Sequence, residues 1–161
     1  MKKRLENSSS NPLIEGEDKE DKIRKLLKQR DPVYAKFADV EAGVWYTDAI
    51  MWASANGIVT GYADGSHRFG TGDKIVREQM AVMLYRYAKD YKKYDVSKAA
   101  DFAHFTDAAS VSAYAEEAVA WAVGNGILTG KDNGTKLDPQ GDASRAECAV
   151  IIQRFLEKYG E

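Results

Sequence analysis

The chain has one cysteine in 161 residues, Cys148, so no disulfide can form within it. Lying in the apolar stretch "ECAVIIQRF", that thiol reads as a small core side chain. Histidine is nearly as scarce. His67 and His104 sit in turn-like stretches and no motif ties either to Cys148, which removes a thiol nucleophile paired with its base. No run of roughly 18 apolar residues occurs, so no membrane insertion is expected. There is no basic excess either. A net charge of −2 and a pI near 5.8 offer no general affinity for nucleic acid. The opening "MKKRLENSSSNPLIEGEDKEDK" has a basic start but no apolar run behind it, and does not read as a secretory leader. No Ser/His/Asp order, phosphate loop or zinc spacing is present. The acid-bearing turns "DNGTKLD" and "YADGSHRFGTGD" lack the Asp-x-Asp-x-Asp-Gly ladder of a calcium loop. The expectation is a non-enzyme with no cofactor and no metal.

What the chain does have is a soluble, globular composition, 44% hydrophobic and 30% charged, and a repeated text. Residues 52–61 read "WASANGIVTG" and residues 121–130 read "WAVGNGILTG". The repetition extends outward. "FADV" at 37–40 matches "FTDA" at 105–108, and a helix is predicted after each, over about 46–56 and 114–125. Asn56-Gly57 and Asn125-Gly126 close those helices. Turns marked by Asp64-Gly65 and Asn133-Gly134 follow, and then second helices over about 76–91 and 144–158. Their apolar stripes superimpose: Met80, Met83, Leu84, Tyr87, Tyr91 against Cys148, Ile151, Ile152, Phe155, Tyr159. The predicted fold is therefore all-α, with tandem helix–Gly-rich turn–helix repeats packed as a small pseudo-symmetric bundle around those stripes. The predicted organisation is a polar N-terminal segment 1–34 with a possible short helix over 18–30, a first repeat 35–92, an irregular linker 93–104, and a second repeat 105–160.

The repeated unit resembles the S-layer homology family. The residues that carry the likeness are Phe37, Asp39, Val40, Trp45, Ala49-Ile50, Gly57 to Gly61, Asp64-Gly65, Phe69 and "IVREQ" at 75–79. In the second copy they are Phe105, Asp107, Ala118-Val119, Gly126 to Gly130, Gly134, Leu137, Pro139 and "ASRAE" at 143–147. The resemblance implies non-covalent anchoring at the cell wall of the bacterial surface. The implied partner is secondary cell-wall polysaccharide, or a glycan linked to peptidoglycan, often with a pyruvylated and so anionic sugar. It also implies three repeats in a three-pronged bundle, ligand grooves between neighbouring prongs, and an Arg facing the ligand from a Thr-Arg-Ala-Glu motif.

This chain departs from that pattern. It has two repeats. Ser144 keeps the hydroxyl before the motif Arg while Val76 replaces it in the first copy. Glu147 keeps the closing acid, but Gln79 takes that place in the first copy, with Glu78 one residue earlier. Tyr114 is the nearest match to Trp45. The fuller motif therefore surrounds Arg145. The candidate polysaccharide-binding residues are Arg145, Ser144, Glu147, Arg77, Glu78, Trp45, Gly61, Gly130, Asp39 and Asp107.

Physical chemistry supports part of this set. Arg77 and Arg145 each open a helix, where the dipole disfavours a cation, and a guanidinium fork there matches a carboxylate. Free N–H groups at the same helix start also favour an anion. The alternative is a structural latch, each Arg pairing with an acid on the neighbouring repeat. Trp45 precedes its helix and suits a groove, whereas Trp52 and Trp121, mid-helix beside alanines, read as core. A rival function is a protein-interaction or assembly module on a shortened scaffold. Two repeats should leave one side of the bundle bare. Either a helix over about 18–34, through Ile23, Leu26, Leu27, Val33 and Tyr34, covers it, or the chain self-associates there. One good site is expected, between the repeats.

Overall fold

The computed structural model describes residues 36–160, so the expected helix over 18–30 and its docking lie outside the described residues. Four α-helices form: α1, Thr47–Ala55; α2, Arg77–Arg86; α3, Glu116–Gly124; and α4, Arg145–Tyr159. Among the described residues there is no sheet, only two isolated antiparallel bridges, Val76 with Asp142 and Lys131 with Lys136. The all-α expectation holds, and each predicted helix is present within a few residues of its expected ends.

The local chemistry is the same in both repeats. α1 and α3 close at Asn-Gly. Gly57 and Gly126 take φ of +73° and +69°, donating N–H to Ser54 and Val123. Ile58 and Ile127 then donate back to Ala53 and Ala122 at 2.9 and 2.8 Å, which completes a paired closure and turns each Ile into the core. The loop after each helix is held by an aspartate near the start of the repeat. Asp39 accepts the N–H groups of Phe69, Gly70 and Thr71, and Asp107 those of Leu137 and Asp138. Burial pushes each of these carboxyls up, but the backbone donors outweigh it and both end below the ordinary value.

The larger core joins α2, α3 and α4, with Trp121, Val119, Ile127, Leu137, Ile151 and Phe155 at its centre. A smaller one, of Phe37, Val40, Ile50 and Met51, lies under α1. The stripe expectation needs correction at three points. Tyr91 and Ile152 are exposed, and α2 with the turn after it buries a second face, Ala81, Val82, Tyr85 and Ala88, that the stripe omitted. The reason is position. α2 packs against α3 of the next repeat and shares that core with α4, so it is covered on two sides. Trp52 also departs from its expected core role. It is 48% exposed, while Trp121 is 1% exposed. After α2 the helix widens over Tyr87–Tyr91, where the Lys92 N–H bonds five residues back to Tyr87. Residues 93–104 carry no regular element, yet Tyr94, Val96 and Phe102 pack back onto the core.

Candidate functional site

The start of α2 is where the repeats lock. Val76 has no side-chain oxygen, so only half of a helix cap is made, the Gln79 amide oxygen accepting the Val76 N–H at 3.2 Å. The second repeat supplies the remaining acceptors. Gly141 and Pro139 carbonyls take the Arg77 and Glu78 N–H groups at 3.1 and 3.0 Å. The free helix-start donors expected beside Arg77 are thus occupied. Glu78 is almost wholly buried and points into the second repeat, accepting the Ser112 N–H at 3.0 Å and the Tyr114 hydroxyl at 2.8 Å. Burial alone raises the Glu78 carboxyl, but these donors bring it below its ordinary value. Desolvation first, and then its bond to Glu78, pushes the Tyr114 phenol up to about 12.

Arg77 crosses the same junction and is 5% exposed. Its Nε donates to the Leu137 carbonyl at 3.0 Å and its Nη2 to the Thr129 carbonyl at 3.4 Å. Its Nη1 meets Glu147 Oε1 at 3.1 Å, which is the latch to an acid on the neighbouring repeat. Lys131 reaches the same oxygen at 2.8 Å and Asp138 at 2.8 Å. The other Glu147 oxygen accepts the Ser144 N–H, while the Ser144 hydroxyl accepts the Glu147 N–H, closing the α4 cap in both directions. Lys131 first, then Ser144, hold the Glu147 carboxyl down to about 2.

Above this cluster lies a groove of about 260 Å³, walled by residues 127–131 on one side and by Ala146, Val150 and Arg154 of α4 on the other. Arg77 closes it from the first repeat. The groove carries three cations, Arg77, Lys131 and Arg154, against one carboxylate, Glu147. Arg154 stands apart from the other two. It donates to the Thr129 hydroxyl at 2.9 Å and has no carboxylate partner among the described residues.

The ten expected site residues thus fall into separate places. Arg77, Glu147 and Gly130 line the groove. Ser144 acts beneath it as the α4 cap. Arg145 is exposed, outside the groove, with no ion pair among the described residues. Glu78 is consumed by its buried partners. Trp45 is 92% exposed, edge-on to Tyr46 and away from the groove. Asp39 and Asp107 spend their oxygens on loop N–H groups. Gly61 and Gly130 are bare because the Phe37 and Phe105 rings press on them; a Cβ would meet those rings at 2.6 and 2.7 Å. Sequence reading missed Thr129, Lys131 and Arg154. A signal existed for two of them. Thr60 and Arg86 stand at the matching positions of the first repeat, and Arg86 donates to the Thr60 hydroxyl at 3.3 Å.

The S-layer homology domain model matches residues 36–81 and 104–149, more than half of the chain. The chain belongs to the S-layer homology domain family. An amylopullulanase of Thermoanaerobacterium thermosulfurigenes is 37% identical over 142 residues, covering 86% of this chain and 7% of that protein. The exoglucanase XynX of Acetivibrio thermocellus is 36% identical over 140 residues, covering 84% and 12%. The surface-layer 125 kDa protein of Lysinibacillus sphaericus is 31% identical over 123 residues, covering 75% and 10%. The chain therefore spans about a tenth of the length of these curated relatives. No solved structure matches it. Proteins named for different activities share this one segment, which marks the S-layer homology region as a module separate from the rest of each protein.

Proposed function

We propose that this chain is a non-enzymatic anchoring module that holds its bearer to the bacterial cell surface by binding an anionic cell-wall polysaccharide. The observation that carries this reading is Arg154, a guanidinium in the groove bonded to a hydroxyl and to no carboxylate among the described residues, beside Arg77 and Lys131. A lone cation on a groove wall is matched by a carboxylate, such as a pyruvyl ketal on a sugar, through two parallel N–H···O bonds. Thr129 Oγ1 adds a polar group for sugar hydroxyls. The apolar wall of Ile127, Leu128 and Val150 suits the C–H face of a ring. The surface-layer relative supports the location, and the small share of each relative that is matched supports a module without catalysis of its own. On this reading Arg77, and not Arg145, is the motif arginine that faces the ligand.

The test is titration with purified wall polysaccharide, before and after mild acid removes its pyruvyl groups. Arg154→Ala removes a charge-assisted hydrogen bond, so affinity should fall about ten-fold or more. Arg86→Ala, at the matching place in the first repeat, should bind as the parent does. Parent-like affinity for Arg154→Ala, or undiminished binding of depyruvylated glycan, would sink the assignment.

A further inference from the structure

α2 and α4 are copies of one helix offset by 68 residues, yet only α2 is covered on both faces. Ala81, Val82 and Tyr85 of α2, with Ala88 in the turn after it, are buried where α3 of the next repeat packs on them. The matching α4 residues are Ala149, Val150, Gln153 and Leu156. All four are exposed, Val150 by 41% and Leu156 by 54%. The opposite end shows the complementary gap. Trp121 of α3 is sealed by Tyr159 of its own repeat, ring centroids 5.9 Å apart, and by Tyr85 of the preceding repeat at 5.4 Å. Trp52 of α1 keeps the contact within its own repeat, with Tyr91 at 5.1 Å, but has no counterpart of Tyr85 among the described residues and stays half exposed. Beside it, Ala49 and Ala53 occupy the places of Ala118 and Ala122, the small residues that let α2 approach α3 closely. The chain thus presents, once each, the two halves of a contact it already makes internally.

We propose that the exposed face of α4 in one copy of this chain packs on the exposed face of α1 in another, repeating the α2–α3 contact head to tail. Arg145 supports the choice of a second copy. Its match, Arg77, crosses the internal contact to the carbonyls of Thr129 and Leu137. Thr60 and Phe69 hold those backbone positions in the first repeat. The two surfaces differ from each other, so the contact is heterologous, and its repetition builds a ring or a filament. One position opposes it. The internal Lys89–Glu117 ion pair, 3.0 Å, becomes Glu157 opposite Asp48, two like charges. The contact is therefore weaker than its internal template, and a single charge reversal should strengthen it.

Sedimentation velocity on the full chain, over a series reaching millimolar concentration, tests this. The weight-average mass should rise with concentration, and Glu157→Lys should move that rise to about three-fold lower concentration or further. Leu156→Asp, which spoils the α4 face, and Trp52→Ala, which spoils the α1 face, should each remain folded and monomeric, with melting temperatures lowered by no more than about 2–8 °C. Mixed, they should form a dimer that grows no further, since each keeps the half the other lacks. Leu156 does not line the groove, so polysaccharide binding should survive its replacement. Three results would overturn the proposal. One is a monomer at every concentration in both the parent and Glu157→Lys. Another is undiminished association of Leu156→Asp. The third is amide protection of α4 that does not change with concentration, which would mark the face as covered from within the same chain.

Discussion

Arg77 and Arg145 open matching helices in two copies of one motif, and everything around them differs. Arg77 is buried and bonded to three residues of the second repeat. Arg145 is exposed and unpaired among the described residues. The same split separates Trp121 from Trp52 and Glu78 from Ala146. Motif quality does not explain it, since the copy richer in motif residues, around Arg145, is the emptier one. Place in the array explains it. A residue at the second-helix start is buried when another repeat follows, and a first-helix tryptophan is sealed when another repeat precedes. The repeat unit is half of two interfaces, and its side chains take their roles from whichever interface is completed.

The largest test of this comparison is the tryptophan pair. Trp121→Ala removes a fully buried ring and should cost about 3–5 kcal/mol of stability, while Trp52→Ala should cost about 1 kcal/mol. Urea denaturation of both variants measures the gap. Equal losses would mean that the second repeat gains nothing from Tyr85. Next comes the arginine pair. Arg77→Ala strips a buried cation from three acceptors and should cost about 3 kcal/mol, whereas Arg145→Ala should stay within about 0.5 kcal/mol of the parent.

How far the sequence could disclose this depends on the range of the forces involved. The Asn-Gly closures were legible because they act over five or six residues and carry their own chemistry, left-handed Gly57 and Gly126 followed by an apolar residue. The repeat and its four helices were legible for the same reason. The exposure of Trp52 was not. "WASANGIVTG" and "WAVGNGILTG" are nearly one text, and what buries Trp121 is Tyr85, 36 residues upstream in another helix. The two-sided burial of α2 was hidden likewise, because a single stripe was read where two neighbours compete for the helix surface. At the groove, Arg77 and Glu147 were visible as motif residues. Arg154 was not, since its meaning lies in having no carboxylate partner among the described residues, and only the register with Thr60 and Arg86 hinted at it.

Acid should act on the two helix starts through different carboxyls. Glu147 ties Arg77, Lys131 and the α4 cap together with its carboxyl held to about 2, below the ordinary 4.5. A depressed carboxyl stabilises the fold above its unfolded value, and that contribution drains as pH falls from about 4.5 towards about 2. Gln79, at the matching place in the first repeat, does not titrate. There the depressed carboxyl is Glu78, held by Ser112 and Tyr114, so amide exchange at the start of α2 should quicken through Glu78, and that at the start of α4 across the Glu147 window. Glu147→Gln should flatten the α4 response. An α4 response unchanged in Glu147→Gln would assign the acid sensitivity to Asp107 or another carboxyl.

The smallest difference is at the caps, and it can be reversed. Ser144 gives α4 a hydroxyl that accepts the Glu147 N–H at 3.3 Å. Val76 holds the same extended backbone, φ −89° and ψ 159°, with nothing to accept at that position. Threonine has valine's shape, so Val76→Thr should complete the α2 cap without moving the chain. The gain is about 1 kcal/mol for a new cap. Against it stands the loss of one half-buried methyl, below about 0.8 kcal/mol. The net should be a small stabilisation, a few tenths of a kcal/mol, whereas Ser144→Ala should lose about 1 kcal/mol. Denaturation midpoints of the two variants decide it. If Val76→Thr destabilises, the methyl outweighs the cap, and valine at this position is a packing residue of the junction rather than a cap that has lost its hydroxyl.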